Sequence, residues 1–388
     1  MTLDATARPL EGLLVADFSR VLAGPLASMT LADLGARVVK VERPGSGDDT
    51  RSWGPPFSPT GSTYFESVNR NKESLCLDLG DRDDLELARE LARRADVLIE
   101  NFKPGGMDRL GLGYEPLARD NPGLVYASIT GFGSAGGAGL MGYDFVVQAL
   151  GGLMSITGEP EGQAMKAGVA LVDVLTAKDA TIGILAALQA REGHGRGARL
   201  EVNLLSSLQG ALANQAQAYL GAGVIPGRMG NDHPSIAPYQ LLTCADGPLA
   251  VACGNDGQFG RLTEVLGLPL LATDERFATN RDRVRNRVEL TARLEEALSR
   301  DTARNWQDAL VGAGVPAGQV GSIADGLAYA EELGLEPCIE VRSADGSVTG
   351  RQVRHPVTWT PAFPARTQAP PLLGQHSEDL CTWLTGPA

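Results

Sequence analysis

Lysine is scarce in this 388-residue chain. Five occur (Lys40, Lys72, Lys103, Lys166, Lys178), so nearly all positive charge is arginine, a fork for phosphates and carboxylates that never serves as a general base. The four histidines (His194, His233, His355, His376) are too dispersed for a metal site, and none is expected. The five cysteines (Cys76, Cys244, Cys253, Cys338, Cys381) are odd in number and contain no C-x-x-C pair, which argues for reduced thiols and against a disulfide framework or zinc ribbon. No run approaches the roughly 18 apolar residues of a membrane span, and Met1–Pro9 lacks the basic-then-apolar order of a leader. A soluble, cytoplasmic protein is expected. G-x-S-x-G, H-E-x-x-H and a Walker lysine are all missing, which removes the common hydrolase, zinc-protease and nucleotide-triphosphate templates. Basic residues are also outnumbered, 34 against 47 acidic, and the net charge of -13 disfavours nucleic acid as a partner.

What remains has ordinary globular proportions, 43% apolar and 21% charged, at a length that suits two domains. From residue 12 short β-branched runs alternate with helical periodicity: a strand at 13–18, a helix at 25–34, a strand at 37–42, a strand at 74–78, a helix at 82–94, and strands at 97–100, 124–129 and 198–203. This alternation predicts an α/β fold, a doubly wound, mostly parallel sheet of Rossmann-like type. A helix is expected over 204–220, after which glycine and proline cluster to Pro238 and the pattern changes. Two strands around Asp246-Gly247 then read as a hairpin, followed by helices near 258–266, 286–299 and 302–312, the second started by Asn286 with Glu289. The expected organisation is a discontinuous large domain of residues 1–221 and 332–388, with residues 222–331 forming a smaller α+β domain and its linkers.

Gly131-Phe132-Gly133-Ser134-Ala135-Gly136 fits G-x-G-x-x-G and raises an NAD-dependent dehydrogenase as one reading. Against it, glycines continue at Gly137 and Gly139 and the next helix starts only near Tyr143. Asp173, a carboxylate in the apolar run 167–176, reads either as a helix N-cap or as a nucleophile. With a reference pKa of about 3.9 it is ionised at pH 7 and attacks a thioester without a general base, provided water is excluded. Arg20, Arg43 and Arg109 each follow a separate predicted strand, so they are expected to converge on one rim where a nucleotide phosphate sits.

Taken together, Pro9–Gly12, Val21-Leu22-Ala23-Gly24-Pro25, Lys40–Asp48, Asn69-Arg70-Asn71-Lys72, Glu100–Gly105, Ser128–Gly133 and Pro371–His376 carry a resemblance to the class III CoA-transferases, the family of the formyl-CoA and carnitine CoA-transferases and the α-methylacyl-CoA racemases. Asp49–Pro56, Asn203–Ser207 and Pro238-Tyr239-Gln240 are most similar to the succinyl-CoA:glutarate branch, whose acceptors are dicarboxylates.

The resemblance implies that Asp173 is the catalytic nucleophile. It further implies CoA contacts from Arg20, Val21, Leu22, Ala23, Arg43, Leu77, Asn101, Phe102, Arg109 and Tyr143, with coenzyme A as substrate and no tightly bound cofactor. The segment 227–235 is the candidate lid, and its Arg228, His233 and Ser235 are candidates for the acceptor's distal carboxylate. Partners are acyl-CoA, small carboxylic acids and a second copy in an interlocked-ring homodimer. A racemase of the same fold is the alternative; racemases carry histidine where Tyr143 stands, and tyrosine, with a reference pKa of about 10, suits α-proton exchange poorly. Asp256 falls near the racemases' glutamate and reads as a loop residue. A non-catalytic CoA-binding module is a third reading.

Overall fold

The computed structural model describes residues 7–386; Met1–Thr6, where the reading for a leader begins, lie outside them. Strands β1 (Leu14–Asp17), β2 (Arg37–Glu42), β3 (Lys72–Cys76), β4 (Val97–Glu100), β5 (Val125–Thr130) and β6 (Arg199–Asn203) form one sheet in the order β3-β2-β1-β4-β5-β6. Every neighbouring pair is parallel. Alternate residues of these β-branched strands enter opposite cores, Val97 and Ile99 into one and Leu98 into the other. That is why the central strands β1, β4 and β5 read as near-continuous apolar runs.

Helix α1 (Ala23–Asp33) follows β1, α2 (Arg82–Arg94) follows β3, and α3 (Asp144–Leu150), α4 (Leu171–His194) and α5 (Leu204–Ala211) come later in the chain. Ala27, Leu31, Ala180, Ile184 and Leu208 cover one face of the sheet. Ala88, Leu91 and Ala92, with Leu380 and Leu384 of the C-terminal helix Ser377–Thr385, cover the other. Helix α2 shows how local signals set these ends: the Asp81 carboxylate accepts the Asp83 and Asp84 amides, and Arg93 and Arg94 sit at the negative end of the dipole. Strand order and two-sided helix cover make this an α/β fold of the doubly wound type, whose cleft opens where the order reverses, at the carboxyl ends of β1 and β4.

The chain divides into two units. The first holds the residues up to Leu153, Ala167–Gly221 and the residues from Glu336 onward; the second holds Met154–Lys166 and Ala222–Leu335. The grouping differs from the sequence boundaries chiefly at Met154–Lys166. That segment joins the second unit because Arg228 donates to the carbonyls of Glu159, Pro160 and Gly162.

Within the second unit, β7 (Tyr239–Thr243) and β8 (Pro248–Ala252) pair antiparallel in the Leu242–Leu249 register around Asp246-Gly247, and β9 (Ala317–Gln319) adds to β8. Helices α6 (Asp256–Val265), α7 (Arg287–Leu298) and α8 (Ala303–Gly312) supply Phe259, Leu262, Leu290, Leu294 and Leu310 to its core. One expectation needs correction. The helix expected over 204–220 breaks after α5, because Ala213 takes φ 40° before a second helix, Ala213–Ala222. Asn286 is the N-cap of α7, as expected, with its side-chain amide donating to the Arg276 and Asp282 carbonyls. Among the described residues no helix is long and apolar enough to cross a membrane.

Candidate active site

The sheet's reversal point is occupied by a cavity of about 220 Å³, lined by Arg20–Ala23 after β1, Asn101–Pro104 after β4, residues 129–133 and 140–144 after β5, and by Asp49, Asp173 and Leu204. The two strand-end loops are clasped together: the Arg20 amide donates to Asn101 Oδ1 at 2.9 Å and Asn101 Nδ2 donates back to the Arg20 carbonyl at 2.7 Å. Arg20 Nη1 pairs with Asp49 at 3.2 Å and its guanidinium lies 5.8 Å above the Phe102 ring, while Arg43 Nη2 takes the other Asp49 oxygen at 2.7 Å. Two of the three arginines therefore meet through one carboxylate, and Lys103 joins the cavity wall beside them. Arg109 sits exposed at the end of the short helix Gly106–Arg109 and does not line the cavity. Leu77 is buried in the core and is likewise outside the cavity lining.

Glycines of the run after β5 serve a different purpose from a dinucleotide fingerprint. Gly131 and Gly142 cross so closely that a Cβ on either would lie within 2.4 Å of the other's Cα, and a Cβ on Gly137 would meet the Phe132 carbonyl at 2.0 Å. Backbone crossing, not phosphate binding, demands these glycines, and no helix N-terminus follows the run until Asp144. The dehydrogenase reading falls with it.

Asp173 is the third residue of α4, so it is not the N-cap. The capping is done from α3: Asp144 Oδ1 accepts the Val172 amide at 2.7 Å and the Asp173 amide at 3.2 Å. Asp144 is itself held by buried Gln148, whose Nε2 donates to Oδ2 at 2.6 Å and whose Oε1 accepts the Ala167 amide at 2.8 Å. Burial, and then the neighbouring Asp144 charge, push the Asp173 carboxyl up to about 7. That corrects the expectation of an ordinary carboxylate, because the sequence shows neither the desolvation nor the second acid. A carboxylate made costly to ionise is a stronger base and nucleophile once ionised.

Tyr64 was missed in the sequence. Burial, followed by the charges of Asp173, Asp144 and Asp48, raises its phenol to about 12, and its ring stands edge-on to Trp53 at 5.0 Å. Tyr143 does line the cavity and is more than half exposed, and no histidine lines it among the described residues.

In the second unit, the Gly227–Ser235 loop is fastened. Arg228 spends its guanidinium on the three carbonyls named above. Arg287 pairs with Asp232 at 3.2 Å and donates to the His233 carbonyl at 2.8 Å. His233 Nδ1 accepts the Ser235 amide at 3.0 Å, and Asn280 holds the Ser235 carbonyl. Asp256 is not a loop residue: it opens α6 and neutralises the fully buried Arg283 at 2.6 Å.

The profile of CoA-transferase family III matches residues 10–377. The chain belongs to that family. It is an enzyme that transfers CoA, and the resemblance read from its motifs is borne out. It is 44% identical over 380 residues to the succinate–glutarate CoA-transferase of Agrobacterium fabrum, covering 95% of this chain and 94% of that protein. Identity to the succinyl-CoA:glutarate CoA-transferase of Mus musculus is 41% over 377 residues, 96% of this chain and 86% of that one. The crystal structure of a CAIB/BAIF family protein from Brucella suis superposes with a TM-score of 0.87 at 44% identity, covering 97% of this enzyme and 99% of that chain.

Proposed function

We propose that this enzyme moves CoA from succinyl-CoA to a dicarboxylic acid such as glutarate, with Asp173 as the covalent relay. Its carboxylate oxygen attacks the thioester carbonyl and expels CoA thiolate, giving a mixed anhydride. The thiolate attacks the aspartyl carbonyl, succinate leaves, and CoA is held as an aspartyl thioester. An acceptor carboxylate attacks that carbonyl, releases the thiolate and forms a second anhydride. Thiolate attack on the acceptor's carbonyl then yields the new acyl-CoA and regenerates the Asp173 carboxylate. No proton is gained or lost, and the thioester free energy is conserved through acyl intermediates. The observation that carries this reading is a desolvated carboxyl, set in a cavity at the switch point and pushed up to about 7.

Arg20, the Val21–Ala23 backbone, Asn101, Phe102 and Tyr143 are the proposed CoA contacts inside the cavity, with Arg43 joining through Asp49. No tightly bound cofactor takes part, and a cytoplasmic location fits the reduced thiols. Offering succinyl-CoA with a panel of mono- and dicarboxylates, and reading acyl-CoA products by mass spectrometry, is expected to give glutaryl-CoA as a principal product. Turnover confined to monocarboxylates would overturn the substrate assignment.

An interlocked homodimer is also proposed. Phe145, Val146 and Leu150 of α3 and Ile182 of α4 are large apolar side chains left exposed on one chain, which a second copy would cover. Light scattering is expected to give twice the chain mass at all working concentrations; a monodisperse monomer would refute it.

A further inference from the structure

Val21, in the wall of the cavity that holds Asp173, has φ 74°. A β-branched residue pays heavily for that left-handed conformation and keeps it only where its surroundings over-determine it. The surroundings are a fully buried charge cluster. Asp48 takes the Val21 amide with both oxygens, at 3.2 and 3.3 Å, and pairs with Lys40 Nζ at 2.9 Å. Lys40 also donates to the Ser19 carbonyl at 2.8 Å, and Thr50 fixes the Asp48 carboxylate through its amide at 3.0 Å and its hydroxyl at 2.8 Å. The turn is tight on its other side as well, since a Cβ on Gly24 would lie 2.2 Å from Ser19 Cβ. A buried ion pair is a poor source of net stability, because an apolar pair of the same volume commonly serves as well. This one spends its hydrogen bonds on the backbone of the cavity wall.

We propose that Lys40, Asp48 and Thr50 are positioning residues for CoA transfer: acting through Asp48, they hold Val21 in its strained conformation and so set the shape of the wall against which the acyl-CoA lies. The assignment rests on the cavity being the transfer site.

It predicts an energetic coupling between Val21 and the clamp. Glycine adopts φ near 74° without strain, so a turn carrying Val21→Gly no longer depends on being held. Using the full-length enzyme, succinyl-CoA and its best acceptor, Thr50→Val is expected to lower kcat/KM about fivefold, mostly through KM for acyl-CoA, and by less than about twofold when Val21→Gly is also present. Val21→Gly carries its own loss from the missing side-chain contact, so the comparison is of ratios. Asp48→Asn should show the same coupling with a larger loss; should it fail to fold, the Thr50→Val cycle alone decides. Equal losses with and without Val21→Gly, or no loss from Thr50→Val, would overturn the proposal. Asp173→Ala run alongside separates the two readings: full activity in that variant refutes the transfer site itself, whereas its inactivity with no Val21–Thr50 coupling refutes only the clamp.

Discussion

Replacing Asp173 with asparagine is expected to lower kcat by at least about a thousandfold while CoA binding, measured by calorimetry, stays within a few-fold of the parent. The amide has nearly the carboxylate's shape, so the loss reports removal of the nucleophile and not a collapsed cavity. Stability gives an independent check with a defined sign. A carboxyl held at about 7 in the folded protein, against 3.8 when unfolded, makes the folded state the tighter proton binder between those values. Stability therefore declines as pH rises through that window, and the full cost, about 4 kcal/mol as an upper bound, stands above pH 7. Asp173→Asn should accordingly melt at a higher temperature than the parent at pH 8, and lose that advantage toward pH 4. An inactive variant that melts lower at pH 8 would point to misfolding. Undiminished turnover would end the covalent scheme, as would failure of hydroxylamine to modify the peptide carrying Asp173 during turnover.

The sheet was legible because its central strands are buried on both faces. Val97–Glu100 and Arg37–Glu42 are apolar enough to stand out, and their spacing around helices such as Arg82–Arg94 leaves a parallel sheet as the natural arrangement. Asp173 was visible for the opposite reason: it is a charge where the pattern calls for apolar residues. Its environment was not visible. Asp144 and Gln148 reach α4 across a long loop, and Tyr64 comes from another part of the chain, so nothing in the local pattern marks them as neighbours. The arginines show the limit of strand-end reasoning. Arg20 and Arg43 met because Asp49 bridges them, whereas Arg109, exposed at the end of the short helix Gly106–Arg109, is outside the cavity lining. Leu77, one position beyond β3, turns its side chain into the core, which the local pattern does not reveal because a residue at a strand end can point to either side. Positive φ at Val21 has no sequence signature at all, since valine is the residue least expected there.

The pH dependence of the reaction follows from the same acid pair and is the second large effect. Only ionised Asp173 attacks, so kcat/KM for succinyl-CoA should level off above about pH 8 and fall about tenfold per unit below about pH 6. With the free enzyme's carboxyl at about 7, the drop from pH 7 to pH 5 is about fiftyfold. An aspartate with an ordinary carboxyl would instead give a flat profile across that range, and a flat profile would refute the raised value. Burial is the larger cause and the Asp144 charge the smaller, so Asp144→Asn should move the acidic limb to lower pH without abolishing it. The substitution keeps an oxygen for the Val172 and Asp173 amides but sets an NH2 group against Gln148 Nε2, which cannot turn away while its Oε1 holds the Ala167 amide. A lower melting temperature is thus expected from the unpaired buried donors, at a cost of about 1–3 kcal/mol. The two readouts separate the roles: loss of the donor pairing appears in the melt at every pH, and loss of the charge appears as displacement of the limb. A limb that stays where the parent's lies would mean that desolvation alone sets Asp173, leaving Asp144 as the helix cap and no more.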